Sequence, residues 1–567
     1  MENNLKIGAG PWAKPCQDER FGHFQTHLAL VAGKSLQANP REIATRLASC
    51  FEGRKEFQKV EIAGPGFVNF TFTPEAIANA LSIMACDPKL SIPATGKPLA
   101  ILLDFSSPNV AKEMHVGHIR STVLGESLAR ILSALGHHVI RDNHLGDWGT
   151  QFGMVLLGYK RGGSEEALRS DPFGHLEALY KNVQEESKTN PETLNQARNE
   201  LLKLQQGDPE NRALWQKFID LSKDAIARIY ERLDVRFDHT LGESFYNDQL
   251  PLVVDELLKK GIARKSEGAV AVFSDHTLPE NNDPFLVNGK EGLKDNPFLI
   301  QKSDGAFLYG TTDLATIWYR VKQLKVDKAV YVTDARQQLH FRQLFATVQR
   351  WGLKVELEHV WFGTILGPDK TPIKTREGKP VKLKALLDEA EERAQAVISA
   401  KRGDLPAERQ REIARTVGLG ALKYADLSQN RNLDYVFDWD RLLSFDGNTA
   451  PYLLNAYVRT RSILRRAGSA GGSSGFELAD AVEQELARKL LAFGDVVQLA
   501  AAEYRPHHIC NYLYECAALF HRFFENCPVL KAESESLKNS RLQLCRLAGD
   551  VLQRGLHLLG IQTLEEM

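Results

Sequence analysis

The apolar residues of this 567-residue chain recur with two periods, and the period changes along its length. Near the start, Val60-Glu61-Ile62-Ala63 and Phe67-Val68-Asn69-Phe70-Thr71-Phe72 alternate like strands, with Gly64-Pro65-Gly66 as the turn between them. Asn39-Pro40-Arg41-Glu42-Ile43 has a polar cap and a proline in its first turn, which predicts a helix start. After a proline-containing joint at 92–98, the run 99–105 (LAILLDF) is almost wholly apolar, as in a strand buried on both faces of a parallel sheet. A polar loop follows, then 118–135 with Val123, Leu124, Leu128, Ile131, Leu132 and Leu135 at helical spacing. Gly136 stops that helix, and His138-Val139-Ile140 reads as the next strand. The pattern is a βαβ unit of a doubly wound sheet.

Two insertions interrupt it. Residues 160–232 read as charged helices on the outside of the sheet, and 265–300 as strands around Gly268-Ala269-Val270-Ala271-Val272-Phe273 and Phe298-Leu299-Ile300-Gln301. Ala329-Val330-Tyr331-Val332 returns to the central-strand pattern. From about 383 onward amphipathic helices dominate, with a flexible Gly/Ser loop at 468–475. The expected architecture is α/β: a doubly wound, Rossmann-like domain at 96–400, an N-terminal α+β domain at 1–95 and an all-α bundle at 401–567.

Composition adds limits. Hydrophobic content of 43% with 25% charged residues is ordinary for a soluble globular chain, and 71 Lys+Arg against 72 Asp+Glu leaves no global field. A local basic face can still bind RNA. The seven cysteines are scattered without a C-x-x-C pair, which predicts reduced cysteines, no zinc site and a cytoplasmic setting. No apolar run is long enough to span a bilayer, and residues 1–10 lack a secretory signal.

The chemistry concentrates in 104–153, DFSSPNVAKEMHVGHIRSTVLGESLARILSALGHHVIRDNHLGDWGTQFG. A buried strand ends in a polar loop that enters a helix at His115-Val116-Gly117-His118. Such junctions bind phosphate, because helix N–H groups and the helix dipole attract anions. Gly117 lets a ligand approach the backbone. His115 and His118 can converge on one anion and stabilise charge during displacement at phosphorus. On H-x-G-H alone, a capped helix with two incidental histidines is an equal reading.

The longer strings decide between them. H-x-G-H after a strand is similar to the first signature of class I aminoacyl-tRNA synthetases, and SSPNVAK-x-MHVGH with HLGDWGTQFG resembles the arginyl-tRNA synthetases along the whole chain. The resemblance implies activation of L-arginine by Mg²⁺-bound ATP, with no metal held by the protein, and transfer to tRNA(Arg). His115, Gly117 and His118 would bind ATP. The second signature is expected at 367–378 but departs from K-M-S-K-S, with Pro372 and Thr375 at its lysine positions. The charge needed near the β- and γ-phosphates then falls to Lys112, Lys374 or Arg376.

A planar guanidinium with five donors calls for paired carboxylates. The resemblance assigns the arginine site to Asp104, Ser107, Asn109, Tyr309, Asp313 and Gln337. Lysine leaves such acceptors unpaired, so no editing domain is expected. The helical domain resembles the family's anticodon-binding domain, with Tyr452, Tyr457 and Arg461 interleaving rings and cations suited to RNA. The N-terminal unit resembles the domain that touches the tRNA elbow, with Phe24, Gln25 and Asn69 as candidates. A monomer is the default expectation.

Overall fold

A computed structural model describes residues 13–16, 18–110, 112–289, 292–373, 381–468 and 475–567. At its centre lie β1 (Ala100–Asp104), α1 (Gly117–Ala134), β2 (His138–Asp142), α2 (Tyr309–Lys322), β3 (Lys328–Tyr331), α3 (Gln338–Trp351) and β4 (Glu356–His359). The strands form one parallel sheet in the order β4-β3-β1-β2. Ile101, Leu102 and Leu103 are all buried, which is why 99–105 carries no polar alternation. Register brings Asp104 of β1 opposite both Asp142 of β2 and Tyr331 of β3.

The first insertion is helical, from Thr150–Gly162 through Pro172–Thr189 and Pro191–Gln206 to Pro209–Arg232. Three of these helices open with proline behind a capping side chain: Asp171, Asn190 and Asp208 each accept a backbone N–H at 3.0 Å. Its core, with Phe152, Leu156, Leu176 and Phe218, also takes in Val110 and Leu145, so it packs on the loop that follows β1. The second insertion holds the antiparallel strands Ala263–Ser266, Ala269–Val272 and Phe298–Gln301, with a hairpin of Leu286–Gly289 and Gly292–Asp295.

The N-terminal unit is a four-stranded antiparallel sheet, spatially Ala13–Pro15, Phe24–Thr26, Phe67–Phe72, Phe57–Ala63, with helices Leu28–Leu36 and Pro40–Ser49. Asn39 caps the latter by accepting the Arg41 N–H at 3.0 Å. Helix Pro74–Cys86 buries Ile77, Leu81 and Met84 in the main core of the molecule.

The C-terminal third is helical: α4 (Leu383–Lys401), α5 (Ala407–Leu427), α6 (Ala450–Ala467), α7 (Ala481–Leu491), α8 (Phe493–Ala502), α9 (His507–Asn526) and α10 (Glu535–Leu558). Its core is continuous with that around α1. A buried ion pair joins the two: Arg120, 2% exposed on α1, meets Asp426, 4% exposed on α5, at 2.8 Å. All seven cysteines are free, and Cys510, Cys516, Cys527 and Cys545 are buried in these helices. Among the described residues no helix is long and apolar enough to cross a membrane.

Candidate active site

Beyond β1 the chain turns through Ser106 and Ser107, at φ 70° and 46°, a region that side-chain-bearing residues seldom adopt. The turn is over-determined. Ser106 N–H donates to Ser121 Oγ of α1 at 2.8 Å, and Ser107 N–H to Asn143 Oδ1 at 3.1 Å. Residues 108–110 are laced to the loop after β2: Gly146 N–H donates to Pro108 O at 3.2 Å and Val110 N–H to Gly146 O at 3.0 Å. A Cβ at Gly146 would run into the Asn109 side chain, so that glycine permits the lacing. Asn109 is left exposed at the C-terminal edge of the sheet, where open α/β sheets bind ligands.

The two signature histidines face each other with ring centroids 4.1 Å apart. His115 Nδ1 accepts the Gly117 N–H at 3.1 Å, and the shorter backbone contact of His118 Nδ1 is with the His115 N–H, at 3.0 Å. Burial, then the neighbouring His115, holds His118 down at about 4; burial, then Arg336, lowers His115. Both rings are therefore neutral at physiological pH, and with Nδ1 occupied as an acceptor each presents an Nε2–H donor. A Cβ on Gly117 would lie 2.9 Å from Cε1 of His115, so this glycine makes room for the ring itself.

The carboxylates divide into two groups. Asp104 is buried; its Oδ1 accepts the Ser107 hydroxyl at 2.8 Å and its Oδ2 the Arg320 guanidinium at 2.6 Å. Asp142 takes the same Arg320 nitrogen at 2.7 Å. Asp313 lies nearer solvent, one turn into α2, and meets His340 Nε2 at 2.6 Å. Tyr309, 66% exposed, places its ring 4.9 Å from that of His340. Gln337 is exposed at the start of α3. Glu243, absent from the sequence-based set, stands beside Asp313: burial, then Asp313 and Asp147, pushes its carboxyl up to about 8. The one signal for it was a lone acid in the apolar stretch Leu241-Gly242-Glu243-Ser244-Phe245-Tyr246. Arg320 was legible as well, seven residues after Asp313 and so on the same helical face. Arg336, 87% exposed and ion-paired with Asp334 at 2.7 Å, is a further cation beside His115.

The flank of the first signature is tied to the chain that follows the second. His115 and Lys382 form an antiparallel bridge, Val116 N–H donates to Val381 O at 2.8 Å and Leu383 N–H to Met114 O at 2.8 Å. The Lys382 ammonium pairs with Glu113. Lys112 lies over the ring of Tyr180, 5.2 Å from its centroid. Lys374 and Arg376 fall outside the described residues.

The RNA-facing candidates separate by burial. Tyr452 is half-buried, its ring against Tyr514 at 5.5 Å and His521 at 5.3 Å, with Arg459 3.2 Å from His521. Tyr457 corrects an expectation: it is a core residue, 1% exposed, whose hydroxyl donates to Glu565 at 3.1 Å, because it points from α6 into the bundle. Arg461 pairs with the same Glu565 at 3.2 Å. In the N-terminal sheet Gln25 donates to Asn69 at 2.7 Å, and Phe24 packs edge-on against Phe72. Asn69 itself is buried.

Comparison with known proteins places the whole chain in a family. Three family profiles match in order: the arginyl tRNA synthetase N-terminal domain over 13–72, the class I (R) tRNA synthetase catalytic domain over 80–439, and the DALR anticodon binding domain over 453–567. The arginine–tRNA ligase of Laribacter hongkongensis is 43% identical over 99% of this chain and 96% of its own, and that of Chromobacterium violaceum 43% over 98% and 95%. Among solved structures, Plasmodium falciparum arginyl-tRNA synthetase superposes with a TM-score of 0.79 at 28% identity, covering 98% of this chain and 94% of that one. The Thermus thermophilus enzyme has the same fold, with a TM-score of 0.82 at 24% identity over 98% and 96%. Family profiles, fold and full-length likeness converge, and the chain belongs to the arginyl-tRNA synthetase family, class I arginine–tRNA ligases.

Proposed function

We propose that the cleft above the sheet carries out both half-reactions with the residues just described. The arginine carboxylate oxygen attacks the α-phosphorus of Mg²⁺-bound ATP, the α–β phosphoanhydride bond breaks, and arginyl-adenylate and pyrophosphate form. The Nε2–H groups of His115 and His118 and the backbone at Gly117 meet the phosphate oxygens, and being neutral they donate without attracting a competing anion. Lys112, with Lys374 and Arg376 as the alternatives, supplies positive charge to the leaving pyrophosphate. Asn109 and Gln337 orient the amino acid, Asp313 and Glu243 receive the guanidinium, and Tyr309 closes over it. Asp104 and Ser107 form the floor beneath, with Asp104 already charge-matched by Arg320.

In the second step the 2′-hydroxyl of the terminal adenosine of tRNA(Arg) attacks the arginyl carbonyl and AMP leaves. Residues 401–567 present Tyr452 and Arg461 to the anticodon, and 1–95 present Phe24 and Gln25 to the elbow. The enzyme works as a monomer in the cytoplasm.

The observations that support this reading are two imidazoles held 4.1 Å apart at a helix start and two neighbouring acids, Asp313 and Glu243. ATP–pyrophosphate exchange with each of the twenty amino acids, with and without tRNA, tests it. Exchange with arginine alone is expected; comparable exchange with lysine would overturn the pocket assignment.

A further inference from the structure

Two lysines flank His115, one three residues before it and one across the backbone bridge, and the structure treats them differently. Lys382 is neutralised. Its ammonium pairs with Glu113, and Glu177 and Asp171, from the first insertion, add to the negative field around it. Lys112 has no such partner: among the described residues its ammonium contacts the face of the Tyr180 ring, 5.2 Å from the centroid, and no carboxylate. Tyr180 sits on helix Pro172–Thr189, three residues beyond Glu177, and packs against the cluster that contains Val110, two residues before Lys112. Its hydroxyl accepts the Gln184 amide at 2.9 Å, which helps hold the ring.

The distinction has a physical consequence. A carboxylate that positions a lysine also cancels the field for which the lysine is present. An aromatic face attracts an ammonium through its quadrupole and leaves the full unit charge in place. Lysine's four-carbon stem loses considerable rotamer freedom when confined, so a ring already fixed by packing supplies order that the side chain lacks alone.

We propose that Tyr180 is a positioning residue for Lys112: the ring, carried by the insertion, holds the ammonium aimed along the phosphate side of the signature turn. This rests on the reading of Lys112 as the cation for the leaving pyrophosphate.

The test uses the full-length enzyme and arginine-dependent ATP–pyrophosphate exchange with tRNA present. Tyr180→Leu is expected to lower kcat/KM for ATP about three- to tenfold, the range of a partly desolvated cation–π contact. Tyr180→Phe, which keeps the π face, is expected to stay within about twofold of the parent. KM for arginine and Kd for tRNA are expected to stay unchanged in both. Lys112→Ala is expected to reduce exchange more strongly, and the double variant Lys112→Ala/Tyr180→Leu no further, because the ring acts through the lysine. Additive losses in the double variant, or a Tyr180→Phe defect equal to that of Tyr180→Leu, overturn the proposal. A silent Tyr180→Leu beside an impaired Lys112→Ala removes Tyr180 alone. A silent Lys112→Ala removes the reading beneath it.

Discussion

Asp104 and Arg320 meet at 2.6 Å at the buried end of β1, and Asp142, the register partner of Asp104 on β2, closes on the same guanidinium nitrogen at 2.7 Å. Two strand ends are thereby clamped by one residue of α2, the helix that also carries Asp313. All three groups are almost wholly shielded from water, and burial alone would raise the Asp142 carboxyl. Removing the cation strands two buried carboxylates. Arg320→Leu is therefore expected to cost about 3–5 kcal/mol of stability, read as a lower denaturation midpoint in urea. Arginine at saturating concentration should not restore it, because a ligand guanidinium at Asp313 does not reach β2.

His118 is expected to tolerate acid in catalysis but to weaken the fold. Its folded-state value of about 4 lies below the ordinary imidazole value, so the unfolded chain takes up a proton that the folded chain refuses. Its contribution to stability is whole above the ordinary value and is lost as pH falls toward about 4. His118→Ala should lessen that acid sensitivity in equilibrium unfolding. The same variant should cut the exchange rate about 10²–10³-fold with tRNA affinity unaltered.

Glu243 is expected to make arginine binding pH-dependent. Burial, with Asp313 and Asp147, keeps it protonated up to about 8 in the free enzyme, whereas a bound guanidinium favours the ionised form. KM for arginine is expected to fall as pH rises from about 7 to about 9, with a proton released on binding. Titration calorimetry in buffers of different ionisation enthalpy counts that proton. Glu243→Gln should abolish its release and weaken arginine binding at high pH. In the same variant stability at pH 8 should rise, since the native acid holds a proton that the unfolded chain would release.

Gly117→Ala separates positioning from folding. The added methyl meets the His115 ring at 2.9 Å, while alanine suits a helix start better than glycine. Exchange is expected to drop about 10²-fold, the cost of a misplacement near 1 Å. The far-ultraviolet dichroism and thermal midpoint should hold. An unchanged rate would show that His115 does not work from its present position.

Tyr452 and Tyr457 should behave oppositely although both lie on α6. Tyr452→Ala removes a half-buried ring and is expected to raise KM for tRNA about tenfold, within the range for one stacked base, at unchanged stability. Tyr457→Ala excavates the core and is expected to cost about 3–5 kcal/mol in unfolding, with tRNA affinity per folded molecule preserved.

These contrasts mark where sequence was readable. Three of the four parallel strands and α1 were, because burial erases alternation and leaves one apolar signal; the predicted run 99–105 became β1 at Ala100–Asp104, whereas the polar edge strand β4 gave no such signal. The signature turn was legible because a motif and its strand–loop–helix setting coincide. What could not be read was which polar groups find one another. Asp104 and Arg320 are 216 residues apart, so nothing local distinguishes a substrate carboxylate from one already paired. Tyr457 failed for a simpler reason. Tyrosines five apart on one helix face different ways, and the choice between core and solvent depends on neighbours that arrive from Glu565.

The ion pair between Arg120 and Asp426 has a bearing on ancestry. Two residues past His118, a guanidinium 2% exposed depends on a carboxylate from the helical third of the chain. Lineages that trade whole modules by recombination can do so only where each inherited piece is electrically complete. Here a crossover between α1 and α5 that brought a residue without a carboxylate to 426 would leave an unmatched charge in a dry core. Both partners lie within the 80–439 span of the catalytic profile, so a gene shortened to end near residue 400 would leave the buried Arg120 guanidinium without its carboxylate.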